Sequence, residues 1–266
     1  MEYSALYKYY DGLMSDYPYR KMFGFAVAKL RAANAEKGFE FACGTGVMTA
    51  MLAAEGFRLA ASDISTDMLN IASEKVLKFG ADSPDTATGK TLIFRENAVF
   101  LRMDVNKPVL NGKYDFIVSF TDGFNYVSSL TRLDKLFKMC ADALSAGGIL
   151  LFDMSTPHKA RTLLSGRLRF EDGGELTVFW ENSKFGEKSR KIDMRLTFFE
   201  KKVNGAASGK GEIYERCDER NAQYFYETRD VGLLLKKHGF KVEIFNENLK
   251  KYTSKAKRLV VCAKKT

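Results

Sequence analysis

Residues 39–46 read Phe39-Glu40-Phe41-Ala42-Cys43-Gly44-Thr45-Gly46, and Asp63 follows after a second short apolar run. Phe39 and Phe41 read as the end of a buried strand. Gly44 and Gly46 let the backbone turn tightly and come close to a ligand, which glycine does without steric cost. Val47 to Glu55 is expected to form a helix closed by Gly56 as its C-terminal glycine. Arg58-Leu59-Ala60-Ala61-Ser62 reads as a second strand with Asp63 at its tip. Strand, glycine turn, helix and a second strand ending in an acid about 20 residues on make the opening of a nucleotide-binding βαβ unit. The acid stands where a ribose hydroxyl pair is held.

What the motif lacks narrows the nucleotide. A dinucleotide fingerprint ends in Gly or Ala where this chain has Thr49, and a phosphate loop ends in Gly-Lys-Ser/Thr, which is absent. Glu40 at the strand tip would repel a pyrophosphate. A carboxylate there suits a ligand bearing positive charge, and S-adenosylmethionine carries an ammonium and a sulfonium and no phosphate.

The run from Phe39 to Asp63 resembles the cofactor half of the class I S-adenosylmethionine-dependent methyltransferases. The resemblance implies that Glu40, Ala42, Gly44 and Gly46 lie against the methionine part and Asp63 on the ribose hydroxyls. Ala42 stands where the commonest pattern has Gly, and it is small enough to fit. Asp104, after the strand Phe100-Leu101-Arg102-Met103, falls beside the adenine amino group, whose N–H a carboxylate can accept. Tyr10, Cys43, Ile64, Met68, Val105 and Phe120 complete the cofactor-binding set that the resemblance implies. Tyr10-Asp11-x-Leu13-Met14, Tyr17-Pro18-Tyr19 and a helix from about Lys21 to Ala35 are similar to the N-terminal cap of the small-molecule members, although Met22 holds a place where Trp often stands. Tyr3, Tyr7 and Tyr9 add to this aromatic segment.

Further along, Ser65 reads as an N-cap for a helix with Met68, Leu69, Ala72, Val76 and Phe79 at helical spacing, and Gly80 to Gly89 as a loop. Tyr114 to Phe120 is near-continuously apolar, as a parallel strand buried on both faces should be. The polar tip Thr121-Asp122-Gly123-Phe124-Asn125-Tyr126 then faces the reaction centre, because ligands of open α/β sheets bind outside the carboxyl ends of the strands. Leu133, Leu136, Phe137, Cys140 and Leu144 form one helical stripe, ended by Ala146-Gly147-Gly148 ahead of a fifth strand that leads to Asp153. From about Leu168 to Ala222 the period changes to two, in Leu176-x-Val178-x-Trp180 and Ile192-x-Met194-x-Leu196-x-Phe198. Gly173-Gly174 and Gly205 to Gly209 read as hairpin turns, and Arg167 to Phe170 and Glu212 to Arg216 as further strands. Thr228 reads as the cap of a last helix ended by Gly239, with strands at Phe240–Phe245 and Leu259–Ala263 after it.

The expected fold is therefore α/β: a Rossmann-like, seven-stranded, mostly parallel sheet with helices on both faces, plus a small antiparallel β insertion. Residues 1–160 and 223–266 would form the cofactor-binding core, with 1–35 as a lid, and 161–222 the insertion near the acceptor site. The acceptor-site residues expected from this arrangement are Tyr19, Asp122, Asn125 and Tyr126.

Composition sets outer bounds. The chain has 266 residues, 45% hydrophobic, with formal net charge +9. The basic residues cluster mainly near the C-terminus and read as a solvated face, so nucleic acid is not an expected partner. No apolar run reaches the roughly 18 residues that would span a bilayer, and no signal peptide is evident. Cys43, Cys140, Cys217 and Cys262 lie far apart without C-x-x-C spacing, which predicts reduced thiols in a cytoplasmic protein and no metal site. A homodimer is compatible with this reading. The expected chemistry is in-line methyl displacement onto an O or N of a small molecule, with positioning and desolvation supplying most of the acceleration. His158, just after the fifth strand's tip, is the candidate base, and His238 beside Gly239 reads as a helix C-terminal cation. An RNA methyltransferase using the basic surface and a non-catalytic cofactor-binding protein are the alternatives.

Overall fold

Alternation decides which side of a sheet each strand residue meets, because successive side chains point to opposite faces. In β1 (Lys37–Phe41), Phe39 and Phe41 enter one apolar cluster with Phe137 and Phe152. Gly38 and Glu40 therefore point to the other face, where Phe116 and the helix covering that side meet them. In β4 (Tyr114–Ser119), Ile117 joins the first cluster while Phe116 and Val118 join the second, so the strand is buried on both sides.

The computed structural model describes residues 9–82, 97–202 and 212–266. Two N-terminal helices, α1 (Tyr10–Leu13) and α2 (Tyr19–Ala32), precede β1, and α3 (Val47–Ala54), β2 (Arg58–Asp63), α4 (Thr66–Asp82) and β3 (Ala98–Arg102) follow it. After β4 come a 3-10 turn (Gly123–Tyr126), α5 (Leu130–Ala143), β5 (Leu144–Ser155) and α6 (Pro157–Lys159), which runs on into a π turn (Ala160–Leu164). An antiparallel sheet is built from β6 (Leu168–Asp172), β7 (Leu176–Asn182), β8 (Lys191–Lys202) and β9 (Ile213–Tyr224), and α7 (Thr228–Lys237), β10 (Phe240–Asn246) and β11 (Arg258–Lys265) complete the chain.

The main sheet has seven strands in the order β10-β11-β5-β4-β1-β2-β3. Its β1, β2, β3, β4 and β5 pair in parallel, and β11 runs antiparallel to both its neighbours. Helices cover both faces, with α5 and α7 on one side and α2 and α3 on the other. The expected fold class is the observed one. The strand order reverses between β1 and β4, which opens a crevice at their carboxyl ends. Among the described residues no helix is long and apolar enough to cross a membrane.

Several local expectations shift. Helix α2 starts at Tyr19 rather than about Lys21, and α4 runs to Asp82, past the expected loop start at Gly80. Gly147 and Gly148 lie inside β5 rather than ahead of it. A Cβ on Gly148 would stand 2.9 Å from the Ser145 carbonyl and 3.0 Å from that of Asp115, where the β4–β5 register slips, so the glycine admits a bulge. Thr228 is the first helical residue, not the cap: Glu227 caps α7 without a side-chain bond, and the buried Thr228 hydroxyl has no partner among the described residues. The readings made for Tyr3, Tyr7, residues 83–89, Gly205 to Gly209 and the Phe79 side chain lie outside the described residues.

Close packing in this core gives a first test. A Cβ on Gly38 would sit 2.1 Å from ring carbons of Phe116, which is fully buried. Gly38→Ala should destabilise the fold by about 1–3 kcal/mol, the range for overpacked cores. Urea unfolding checks it, and an unchanged or raised midpoint would contradict the packing described.

Candidate active site

The tips of β1 and β4 meet at the crevice, and both adopt strained backbone there. Ala42, Gly44 and Gly46 after β1, and Thr121 and Asp122 after β4, all have φ between 50° and 74°. For residues other than glycine such angles cost of order 1–3 kcal/mol each and recur at functional sites. The two glycines of the motif serve different ends. A Cβ on Gly46 would lie 2.6 Å from that of Ala72, so Gly46 lets α3 and α4 pack closely. A Cβ on Gly44 would meet nothing nearer than the Tyr10 ring at 3.6 Å, so Gly44 keeps the space beside the chain open.

That space is a cavity of about 430 Å³. Its sheet-side wall includes Tyr10, Ala42, Gly44, Asp63, Asp104 and Val105, with Ile64 and Met68 beside them. The Asp63 carboxylate accepts the N–H of Gly44 at 3.0 Å and of Ser65 at 2.9 Å, which ties the glycine turn to the end of β2. Asp104 accepts the backbone and side-chain N–H of Asn106. Four other residues expected at the cofactor lie behind the wall rather than in it: Glu40, Cys43, Gly46 and Phe120.

Glu40 is 2% exposed, and its carboxyl accepts the Thr49 hydroxyl at 2.6 Å. Burial pushes its pKa up to about 8, and the nearby Asp63 charge pushes in the same direction, against the Thr49 bond.

A second cavity of about 470 Å³ lies beside the first, between the N-terminal segment and one face of the antiparallel sheet. Its lining includes Leu13, Trp180, Met194, Leu196 and Phe225, with Asp122 and Arg258 at its base. Tyr10, Thr121, Tyr126 and Asn221 line both cavities. Burial drives the Tyr10 phenol well above its ordinary pKa, so its hydroxyl stays neutral.

Beneath the second cavity is a buried ionic cluster. Arg258 holds Asp122 with two bonds, 2.6 and 3.0 Å, and reaches Asp153 at 3.0 Å. Asp153 also accepts the backbone N–H of Asp122 and the hydroxyl of Tyr17, whose ring lies against the guanidinium. Burial raises the Asp122 carboxyl, but the Arg258 and Lys159 charges outweigh it and the net shift is downward. Asp153 shifts the other way, because full burial and the Asp122 charge outweigh Arg258. Burial lowers Lys159, whose ammonium bonds the Ser155 hydroxyl at 2.9 Å.

Of the residues expected at the acceptor, Asp122 and Tyr126 line the second cavity, whereas Tyr19 and Asn125 do not. Tyr19 packs edge-on against Tyr17. The Asn125 amide is fully buried and spent on the Ser155 and Tyr224 backbones, locking the antiparallel sheet to β5. His158, on α6, lines neither cavity, and His238 caps α7 with its ring 2.7 Å from Asp134.

A family profile described as a methyltransferase domain matches residues 20–243, most of the chain. The chain belongs to that methyltransferase family. YqeM of Bacillus subtilis (strain 168), which carries a methyltransferase name, is 27% identical over 91% of this chain and 87% of its own length. An S-adenosylmethionine-dependent methyltransferase from Clostridium acetobutylicum shares the fold with a TM-score of 0.78, at 24% identity, over 97% of this chain and 96% of that one. The amino pentose methyltransferase CalS10 from Micromonospora echinaspora, solved with S-adenosylmethionine bound, has a TM-score of 0.64 at 14% identity, over 94% and 92%.

Sequence reasoning missed several residues of the methyltransferase's cavities: Tyr17, Lys159, Arg167, Asn221 and Arg258. Their signal is weak, since each comes from a segment distant in sequence from the glycine motif. Only the unusual φ of Asp122 and Thr121, invisible in sequence, marks where they converge.

Glu40 makes a pH test of the methyltransferase fold. Its contribution to stability is fully present below the ordinary carboxyl value of 4.5 and is lost as pH rises through about 8. Unfolding free energy should decline across that window, by at most about 1.4 kcal/mol per pH unit from this group. Glu40→Gln should flatten the decline, and the wild-type-minus-variant difference in urea midpoints measures it. Parallel pH curves would refute a raised Glu40.

Proposed function

We propose that the methyl donor is S-adenosylmethionine, bound in the first cavity, and that the acceptor is a small molecule held in the second. The observation that supports this reading is the shared wall of Tyr10, Thr121, Tyr126 and Asn221. Two ligands in adjoining cavities would present their reacting atoms to each other there.

The donor groups suit that cofactor. The first cavity is lined by the acids Asp63, Asp104 and Asp193, and Arg220 of the antiparallel sheet is the cation on its wall. Asp63 accepts from the ribose hydroxyls and Asp104 from the adenine amino group, while Ala42 and Gly44 leave room for the methionine part. Glu40 stands one layer behind that wall, its carboxyl spent on the Thr49 hydroxyl. When bound, S-adenosylmethionine supplies a methyl group on a sulfonium that departs as a neutral thioether. The protein's task is then to align an acceptor lone pair with that bond and keep water out.

Nitrogen is favoured over oxygen as the methylated atom. The shared wall holds two phenols, a threonine and an amide, and Asp122 below it is closed by Arg258. Among the described residues the shared wall carries no carboxylate or imidazole to take a hydroxyl proton. An amine needs none, because its lone pair attacks directly and the proton leaves to solvent afterwards. The antiparallel sheet of residues 161–222 is read as the roof of this acceptor site, with residues 1–35 as its lid.

Asp63→Ala should weaken S-adenosylmethionine by about 1.5–3 kcal/mol, the scale of hydrogen bonds to a charged group. Calorimetry with S-adenosylmethionine and with methionine separates the ribose role from a global effect, since only the former should suffer. Equal losses for both would remove Asp63 from the ribose.

Methyl-labelled donor offered with panels of amines, alcohols and RNA tests the acceptor. Label should enter a small amine, with a rate that rises with pH as the amine loses its proton and is unchanged in His158→Asn. Label confined to RNA would overturn the small-molecule reading, and a pH profile abolished by His158→Asn would restore a protein base.

A further inference from the structure

The roof of the second cavity is graded from one edge to the other. Period-two alternation puts Arg167 and Arg169 of the β6 edge, Trp180 of β7, Met194 and Leu196 of β8 and Asn221 of β9 on the same face. The register aligns Arg169 with Trp180 and Trp180 with Leu196, whose β9 partner is Glu219, and Met194, two residues along β8, pairs with Asn221. Guanidinium groups therefore stand at one end, an indole and aliphatic chains in the middle, and an amide at the other. Three strand spacings, about 14 Å, separate the two ends. Only the amide end also borders the first cavity, through Asn221.

The charges of this cavity are unevenly spent. Its cations are Lys159, Arg167, Arg169 and Arg258, and its acids are Asp16 and Asp122. Arg258 is consumed by Asp122 and Asp153, Lys159 bonds Ser155 and stands 3.8 Å from Asp122, and Arg169 pairs with Glu171 beside it. Arg167 makes no ion pair among the described residues, and its exposed side chain stands on the cavity wall. A planar guanidinium in that position matches a carboxylate or phosphate oxygen pair.

We infer that the acceptor is an elongated molecule carrying an anionic group, held by Arg167 and Arg169 at the end remote from the methylated atom, with its body lying across Trp180, Met194 and Leu196. The inference rests on the second cavity being the acceptor site. It names the feature that would select among small amines: an acid group set well away from the nucleophile. Neutral amines of the same shape would fill the apolar middle and leave Arg167 without a partner.

Trp180 is the only tryptophan in the chain, so its fluorescence reports occupancy of this cavity directly. The full-length protein saturated with S-adenosylhomocysteine is titrated with three rigid probes: 4-biphenylcarboxylate, 4-biphenylyl phosphate and the neutral 4-biphenylcarboxamide. At low salt at least one anion should bind about tenfold tighter than the amide, the scale of a charge-assisted bond, and the tighter anion names the acid class. The preference should shrink as salt rises, because Arg167 is exposed to screening. In the Arg167→Gln, Arg169→Gln double variant the anion should fall to the amide's affinity while the amide is unaffected. Trp180→Phe should abolish the signal. Equal affinities, a preference that survives in the double variant, or no saturable response up to millimolar probe would each overturn the inference. Calorimetry of S-adenosylhomocysteine on the same samples reports separately on the donor site. Absent binding defeats the donor assignment, whereas normal binding with equal probe affinities defeats this inference alone.

Discussion

A single guanidinium under the carboxyl edge of the sheet organises the site. Arg258, at the start of β11, is bonded to Asp122 after β4 and Asp153 at the end of β5, and Tyr17 of the N-terminal segment closes the group from above. Two carboxylates and one guanidinium, all nearly out of water, are expensive to desolvate, and such clusters add little net stability over an apolar core. Breaking one is another matter. Loss of the cation would strand two buried acids at a cost of about 3–5 kcal/mol. The cluster therefore constrains geometry more than it adds stability: the four segments can meet in one way only.

That constraint reaches the shared wall of the two cavities through the backbone. Asp122 is held by its side chain to Arg258 and by its N–H to Asp153, and it sits at φ 66° next to Thr121 at φ 57°. The strained pair turns the chain so that Thr121 faces both cavities and Gly123 presses against Ala42 at the tip of β1. A Cβ on Gly123 would stand 2.9 Å from that of Ala42, so the two strand tips touch and fix the spacing of the crevice. On the far side the Asn125 amide bonds both β5 and the end of β9. The antiparallel sheet over the second cavity is thus referenced to the same two strand ends that position its base.

Legibility in the sequence followed the range of the physics involved. The βαβ opening, the α5 stripe and the alternating strands were all readable, because each is set by spacings of two to four residues. Gly44 and Asp63 were readable for the same reason, and the structure ties them together through one hydrogen bond. Gly46 was readable as a glycine but not for its reason, since contact with Ala72 depends on how α3 and α4 cross. Gly148 was misread as a helix end because a bulge against the β4 strand has no local signature. His158 was readable as a candidate base because it follows the tip of the fifth strand, and the fold leaves it outside both cavity walls.

The amino-acid sequence by itself determined the α/β class, the position of the glycine turn and the acidic residue at the end of the second strand. These rest on periodicity and backbone freedom, which are properties of neighbouring residues. Only the tertiary structure decided that Tyr17, Asp122, Asp153 and Arg258 form one cluster, that Glu40 is sealed behind Thr49, and that two cavities share a wall. It also decided that Arg167 and Trp180 face an interior rather than water. Each of these depends on segments more than a hundred residues apart being brought together, or on which face of a sheet is covered. Burial, and with it the strength of every charge and hydrogen bond in the site, is a property of the packed chain and not of any stretch of it.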